Sequence, residues 1–224
     1  MSRPSGAVVP SAPLLVPALA GGSAHLDADL REAVDTAVCQ LVDWSESIVV
    51  VGCAARTGAY TGTWDWSGFG VQQRGPDGAR LPLSLGIGAW LLDQLPTQLP
   101  RSFFGVREDE TAEACRLLGE AIGQEPGTGL LIVADGSARR DVKAPGHLDS
   151  RAEPFDREVG DALREGSPER LLALSVEDAR ELLAQGRAPW QVMAGAFDGP
   201  ARASVSYDAA PYGVGYFVSS WAGS

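Results

Sequence analysis

The sequence predicts an α/β fold: a single domain over residues 1–224 with a central mixed β-sheet flanked by helices. Three observations carry that expectation. Short apolar runs without helical period, at Gly6–Val9, Ser47–Val51 and Gly129–Val133, read as strands, the last of them buried on both faces. Other segments repeat apolar residues every three or four positions, as amphipathic helices do. No linker, repeat or low-complexity tract divides the 224 residues, a length that one large α/β core accommodates.

Taken in order, Gly6–Val9 runs into Pro10-Ser11-Ala12-Pro13, a rigid turn, and then Leu14-Leu15-Val16. Leu26, Leu30, Val34, Val38 and Leu41 mark one face of a helix over 26–42. The strand at Ser47–Val51 ends in Gly52-Cys53-Ala54-Ala55-Arg56. Residues 57–70, rich in Gly, Trp and Tyr, read as a loop with a strand near Phe69–Gln72. Tyr60, Trp64 and Trp66 in that loop either roof an aromatic pocket or tuck into the core. Pro76-Asp77-Gly78 signals a turn. Leu83–Leu95, between Pro82 and Pro96, predicts a helix facing inward with Leu85, Ala89 and Leu92. Glu108–Ile122 predicts another, with acids in the first turn where the dipole favours them. Pro126-Gly127-Thr128-Gly129 breaks the chain before the central strand, and 141–151, around Pro145-Gly146, is a loop. Helices follow at Glu153–Arg164, Ser175–Gln185 and Pro189–Phe197, with Ser175 and Asp178 at capping-box spacing. Val205–Tyr207 and Gly213–Val218 close the chain as strands.

The run Gly129–Ala134 ends abruptly in Asp135-Gly136-Ser137, with Arg139 and Arg140 just beyond. In open α/β sheets, ligands bind at the carboxyl ends of such strands. Asp135, Ser137 and His147 are therefore the candidate catalytic residues, His147 as a lone acid/base near Asp135. Ser11, Cys53, Arg56 and Arg139 are the candidate ligand contacts, with an arginine fork suited to carboxylate or phosphate. Each has a plainer alternative. Asp135 would bond backbone amides beyond its strand, the arginines would pair with nearby acids, and Cys53 would be a buried thiol. Asp149, Glu153 and Asp156 read as helix-start acids.

Composition narrows the function classes. A formal net charge of -11 argues against a nucleic-acid partner. Basic charge is almost all arginine, Lys143 being the one lysine. No run is apolar and long enough to span a membrane, and Pro10, Pro13 and Pro17 interrupt any signal-peptide pattern. Three widely spaced cysteines, Cys39, Cys53 and Cys115, suit reduced thiols in a cytoplasm. The phosphate-loop, dinucleotide-binding, serine-elbow, HExxH and paired-CxxC signatures are all missing. His25 and His147 are the only histidines, which excludes any three-histidine site.

Several stretches, in order, resemble the LigB-like superfamily, the catalytic subunits of class III extradiol ring-cleavage dioxygenases and their Memo-type relatives. Val9-Pro10-Ser11-Ala12-Pro13-Leu14-Leu15 resembles its opening strand and turn, and Ile48-Val49-Val50-Val51-Gly52 its second strand. Ile132-Val133-Ala134-Asp135-Gly136-Ser137 resembles the strand that delivers the active-site loop. Ala144-Pro145-Gly146 with Phe155-Asp156, then Trp190 through Met193-Ala194-Gly195-Ala196-Phe197, and finally Ala209-Ala210-Pro211-Tyr212-Gly213-Val214-Gly215 are similar to its later loop, late helix and closing strand. The resemblance implies the LigB-like dioxygenase fold and an Fe(II) held by two histidines and a carboxylate. This sequence departs from that pattern. Ser11 and Ala54 or Ala55 stand where the resemblance implies the histidine ligands, and Ala138 where it implies an acid/base histidine. No glutamate lies near Arg187–Trp190 to complete the set.

Three functional readings follow. The first is a divergent member with a degenerate metal site, which binds a small polar or anionic ligand or acts without iron. No metal or cofactor is expected in that case. The second is an active non-haem Fe(II) dioxygenase with a relocated site that includes His25 or His147. The third is a structural or assembly subunit, with a homo-oligomer as its form.

Overall fold

The computed structural model describes residues 4–20 and 28–223. One seven-stranded mixed sheet, in the order β3-β4-β2-β5-β1-β7-β6, carries helices on both faces. Its centre is parallel. β5 (Thr128–Val133) lies between β1 (Ser5–Val9) and β2 (Ser47–Cys53), and β4 (Arg101–Val106) extends β2 in the same direction. β3 (Gly58–Tyr60), β7 (Tyr216–Ala222) and β6 (Arg202–Ala209) add antiparallel margins, and a bulge between Val205 and Tyr207 interrupts the β6 edge.

Every residue of β1 and β5 is buried, the expected signature of strands covered on both sides. Alternation then divides their side chains between two cores. Ala7, Val9, Val50, Leu131 and Val133 meet α1 (Ala28–Trp44) and α2 (Leu83–Asp93). Val8, Val51, Leu130 and Ile132 meet α3 (Ala112–Gly123), α4 (Ala152–Glu165), α5 (Pro168–Leu172) and α7 (Arg187–Gly195). Each fully buried Leu, Ile or Val stabilises by about 1.5–3 kcal/mol relative to exposure. α6 (Val176–Glu181) is capped by Ser175, whose side chain accepts the Asp178 N–H. Gly119 of α3 and Gly195 of α7 let their backbones meet. A Cβ on either would fall 1.9 Å from the Val192 carbonyl oxygen or 2.2 Å from that of Arg116.

Several sequence expectations need correction. No strand forms near Phe69–Gln72; Ser67–Phe69 is a single 3-10 turn, and the polar, glycine-rich flank makes only isolated bridges. Strands β3 and β4 were not anticipated. β4 starts with exposed Arg101 and Ser102, and only Gly105 and Val106 are buried, so its apolar signal is short. The helix expected from Glu108 starts at Ala112, because the Thr111 side chain accepts the Ala114 N–H and caps it there. The helix expected over Ser175–Gln185 ends at Glu181, and α5 was not anticipated. Leu26 and His25 lie outside the described residues. Trp66 tucks into the core at 1% exposure against α2, stacked on Trp64 with ring centroids 5.5 Å apart. Trp64 donates its indole N–H to Asp93 (2.8 Å), which fastens the loop to the end of α2.

Candidate functional site

The register of the central strands sets the geometry of the site. Val133 pairs with Val9 on one side and with Gly52 on the other. Two residues further along each strand, Asp135, Ser11 and Ala54 leave the sheet at one level. The ladder persists into this region, with Ala134 N–H donating to the Val9 carbonyl and Ala54 N–H to that of Val106 (both 2.9 Å). Ser11 N–H donates to Asp135 Oδ1 at 2.8 Å, so the ends of β1 and β5 are joined through the carboxylate. Asp135 itself is anchored from behind, its carbonyl accepting the Gly186 N–H (2.8 Å) just ahead of α7.

The Asp135 carboxyl has lost most of its hydration although the residue keeps some solvent contact. Burial pushes it up from 3.8 to about 7, and the Ser11 N–H, which favours the charged form, offsets only part of that. A carboxyl titrating near neutrality can both give and take a proton, as general acid/base chemistry requires.

A cleft of about 420 Å³ opens at the ends of β2 and β4. Cys53, Ala54 and Ala55 form one wall, Arg107, Glu108 and Asp109 the other, and Gln185 closes it. Arg107 forks onto Asp109, Nε to Oδ1 at 2.7 Å and a terminal nitrogen to Oδ2 at 2.5 Å. Burial, reinforced by the Glu108 charge, pushes the Cys53 thiol up to about 11, so it is a protonated wall rather than a nucleophile.

The loop after Asp135 is held rigidly. Ser137 is fully buried; its hydroxyl donates to the Leu182 carbonyl (2.8 Å) and accepts the Arg139 N–H (3.1 Å). Its own N–H donates to Asp156 Oδ1 (2.8 Å), and Arg140 donates to Asp156 Oδ2 (2.9 Å). Asp156, read from sequence as a helix-start acid, instead points inward at 1% exposure as the clamp of this loop. Gly136 and Gly215 make room for it: a Cβ there would sit 2.6 and 2.2 Å from its carboxylate oxygens.

Of the candidates, then, Ser11 and Asp135 touch, and Cys53 lines the cleft at the ends of β2 and β4, whose lining includes neither of them. Ser137 is engaged inside the fold. Arg56 curls over its own hairpin, donating to the Ala59 carbonyl (2.9 Å) with its guanidinium 4.1 Å from the Tyr60 ring centroid. Arg139 reaches toward Asp149 (4.0 Å). His147 is exposed, with φ +59° and Nδ1 2.8 Å from the Val142 carbonyl oxygen.

Sequence reasoning missed Arg187. It is 1% exposed, and among the described residues no carboxylate pairs with it. Its guanidinium donates to the carbonyls of Glu110 (2.6 Å) and Glu108 and to Gln191 Oε1 (2.7 Å). Gln191 in turn donates to the carbonyls of Leu171, Leu172 and Leu174. Desolvation lowers the Arg187 pKa from its usual value. The residue thus ties α7 to the wall of the cleft. Its place in the sequence, alone at a helix start, carries no signal of that reach.

The two-histidine, one-carboxylate iron set does not fit this donor group. At the level of Asp135 the neighbouring strands offer a serine hydroxyl and alanine methyls, and a methyl has no lone pair to give. Among the described residues, no three His, Cys, Asp or Glu side chains gather as a metal centre. Nor is any described helix long and apolar enough to cross a membrane.

No family model matches the chain, and no curated protein matches it in sequence. Among solved structures it is similar to the uncharacterized protein JW3007 from Escherichia coli K12. The two are 13% identical with a TM-score of 0.54, and the match covers 98% of this chain and 99% of that one. At that identity the likeness establishes the α/β fold, with its mixed sheet flanked by helices, and nothing about activity.

Proposed function

We propose that this chain is a divergent relative of the class III extradiol dioxygenase subunits that works without iron and binds a small polar molecule at the strand ends. One observation carries the reading. Ser11 and Ala54 or Ala55, the positions where the resemblance implies iron histidines, lie far apart in sequence yet follow β1 and β2, the two strands that flank β5 and Asp135. The positions flank one strand end, while a serine hydroxyl and an alanine methyl lack the imidazole that would hold iron. In this reading Asp135 handles a proton or a hydrogen bond and Ser11 fixes it. The chain's three free cysteines, Cys39, Cys53 and Cys115, favour a reducing compartment, the cytoplasm, as its place of action.

The test is native mass spectrometry of the purified protein, followed by denaturation and identification of released small molecules. A stoichiometric organic ligand, lost on Asp135→Leu, supports the reading. Empty protein that also ignores a broad fragment screen refutes it.

A further inference from the structure

The level occupied by Ser11 and Asp135 extends one strand further. Val8 of β1 pairs antiparallel with Ser219 of β7. Three residues forward along β1 is Ser11, and three back along β7 is Tyr216, so the two are level. The loop holds this alignment, because Gly136 N–H donates to the Gly215 carbonyl (2.7 Å) and Gly215 N–H to that of Ser137 (2.9 Å). Tyr216 packs in the same core as Val9 and Val133, and continuing the alternation two residues brings Ser11 and Asp135 to that face as well. Asp135 and Tyr216 also sense one another. Burial raises the Tyr216 phenol above its usual range, and the Asp135 charge adds to the rise.

All but one of the arginines around these strand ends are already engaged. Arg140 is on Asp156, Arg107 on Asp109, Arg151 on Asp149 and Glu181, and Arg56 on its own hairpin. Arg187 is committed to backbone carbonyls, whereas Arg139 comes only to 4.0 Å of Asp149 and keeps its Nε buried without a partner among the described residues. An anion seated here would meet the Asp135 carboxyl, with Arg139 the one guanidinium among these that makes no hydrogen bond within the described residues. The Asp135 side chain accepts one hydrogen bond, from Ser11 N–H at Oδ1, and Oδ2 has no partner among the described residues.

We infer that Tyr216 completes the site with Asp135, and that together they bind an uncharged group through its amide or hydroxyl rather than an anion. The phenol donates to the ligand's carbonyl or hydroxyl oxygen, and the carboxyl Oδ2 accepts its N–H or O–H. This deepens the small-molecule reading above and rests on it.

Benzamide and benzoate, which share a ring and differ in charge, test the inference on the full chain at pH 8. Binding is followed by the Asp135 carboxyl ¹³C signal, assigned through Asp135→Asn. Benzamide is expected to move that signal, benzoate to bind at least tenfold more weakly, and Tyr216→Phe to weaken benzamide about three- to tenfold, the loss of one hydrogen bond. The inference is overturned by benzoate binding as tightly, by an unchanged Tyr216→Phe, or by neither probe binding. The wild-type comparison decides the charge preference even if Tyr216→Phe fails to fold. Benzamide that shifts Cys53 and Ala54 but leaves Asp135 untouched would overturn this inference while leaving the small-molecule reading intact.

Discussion

Replacing Asp135 by Asn isolates the cost of keeping a carboxyl at this strand end. In the folded protein burial pushes Asp135 up to about 7, against 3.8 for a free side chain. Between those values the folded state holds a proton that the unfolded state has released. Its contribution is therefore fully favourable below about pH 4 and is lost as pH rises through 7. The full rise corresponds to roughly 4 kcal/mol at 1.36 kcal/mol per pH unit, and the residual solvent contact of Asp135 reduces it to about 2–4 kcal/mol. Asparagine keeps an oxygen for the Ser11 N–H and cannot ionise. Urea unfolding of both proteins from pH 4.5 to 8.5 measures the difference, in which the other titrating groups largely cancel. Asp135→Asn should gain about 2–4 kcal/mol on wild type across that range. A difference that stays flat with pH would refute the assignment of a buried, near-neutral carboxyl.

Other consequences follow from the same geometry. Gly215→Ala pushes a methyl onto Asp156 and should cost about 1–3 kcal/mol in thermal or urea unfolding; an unperturbed variant would show that the clamp is loose. Arg187→Lys keeps the charge but loses the fork across Glu108, Glu110 and Gln191. It should destabilise by about 1–3 kcal/mol and speed hydrogen exchange over 107–110, and unchanged exchange there would contradict its role. Exposed Cys39 should react with a thiol reagent at pH 8 well before Cys53 and Cys115, both of which burial pushes up to about 11. A fast second thiol would contradict their assignment as protonated wall and core.

The parts of the fold legible in sequence are those whose environment is uniform. β5 is buried at every residue, so its apolar run speaks for itself, and the helical period of α1 follows from a single face toward the sheet. β4 was hidden because it lies near the sheet margin, covered on its outer side by only three residues of β3, and can afford exposed polar residues. In the site, Asp135 and Ser11 could be read because strand ends are local features. Tyr216 and Arg187 could not. The first depends on the pairing of β7 with β1, and the second on a side chain that reaches a carbonyl 77 positions away. His147 was linked to Asp135 by nearness in sequence. Instead its backbone turns at positive φ and its ring bonds the same loop, at Val142.

Ser11 and Ala54 cannot supply imidazoles, so the strand ends are proposed to work without iron. Anaerobic titration with Fe(II), followed by metal analysis after gel filtration, addresses that proposal most directly. Well under one equivalent should be retained, with no ring cleavage of catechol on admitting oxygen. One equivalent of iron that is lost on substituting His147 or His25 would contradict that proposal and instead establish a relocated iron site.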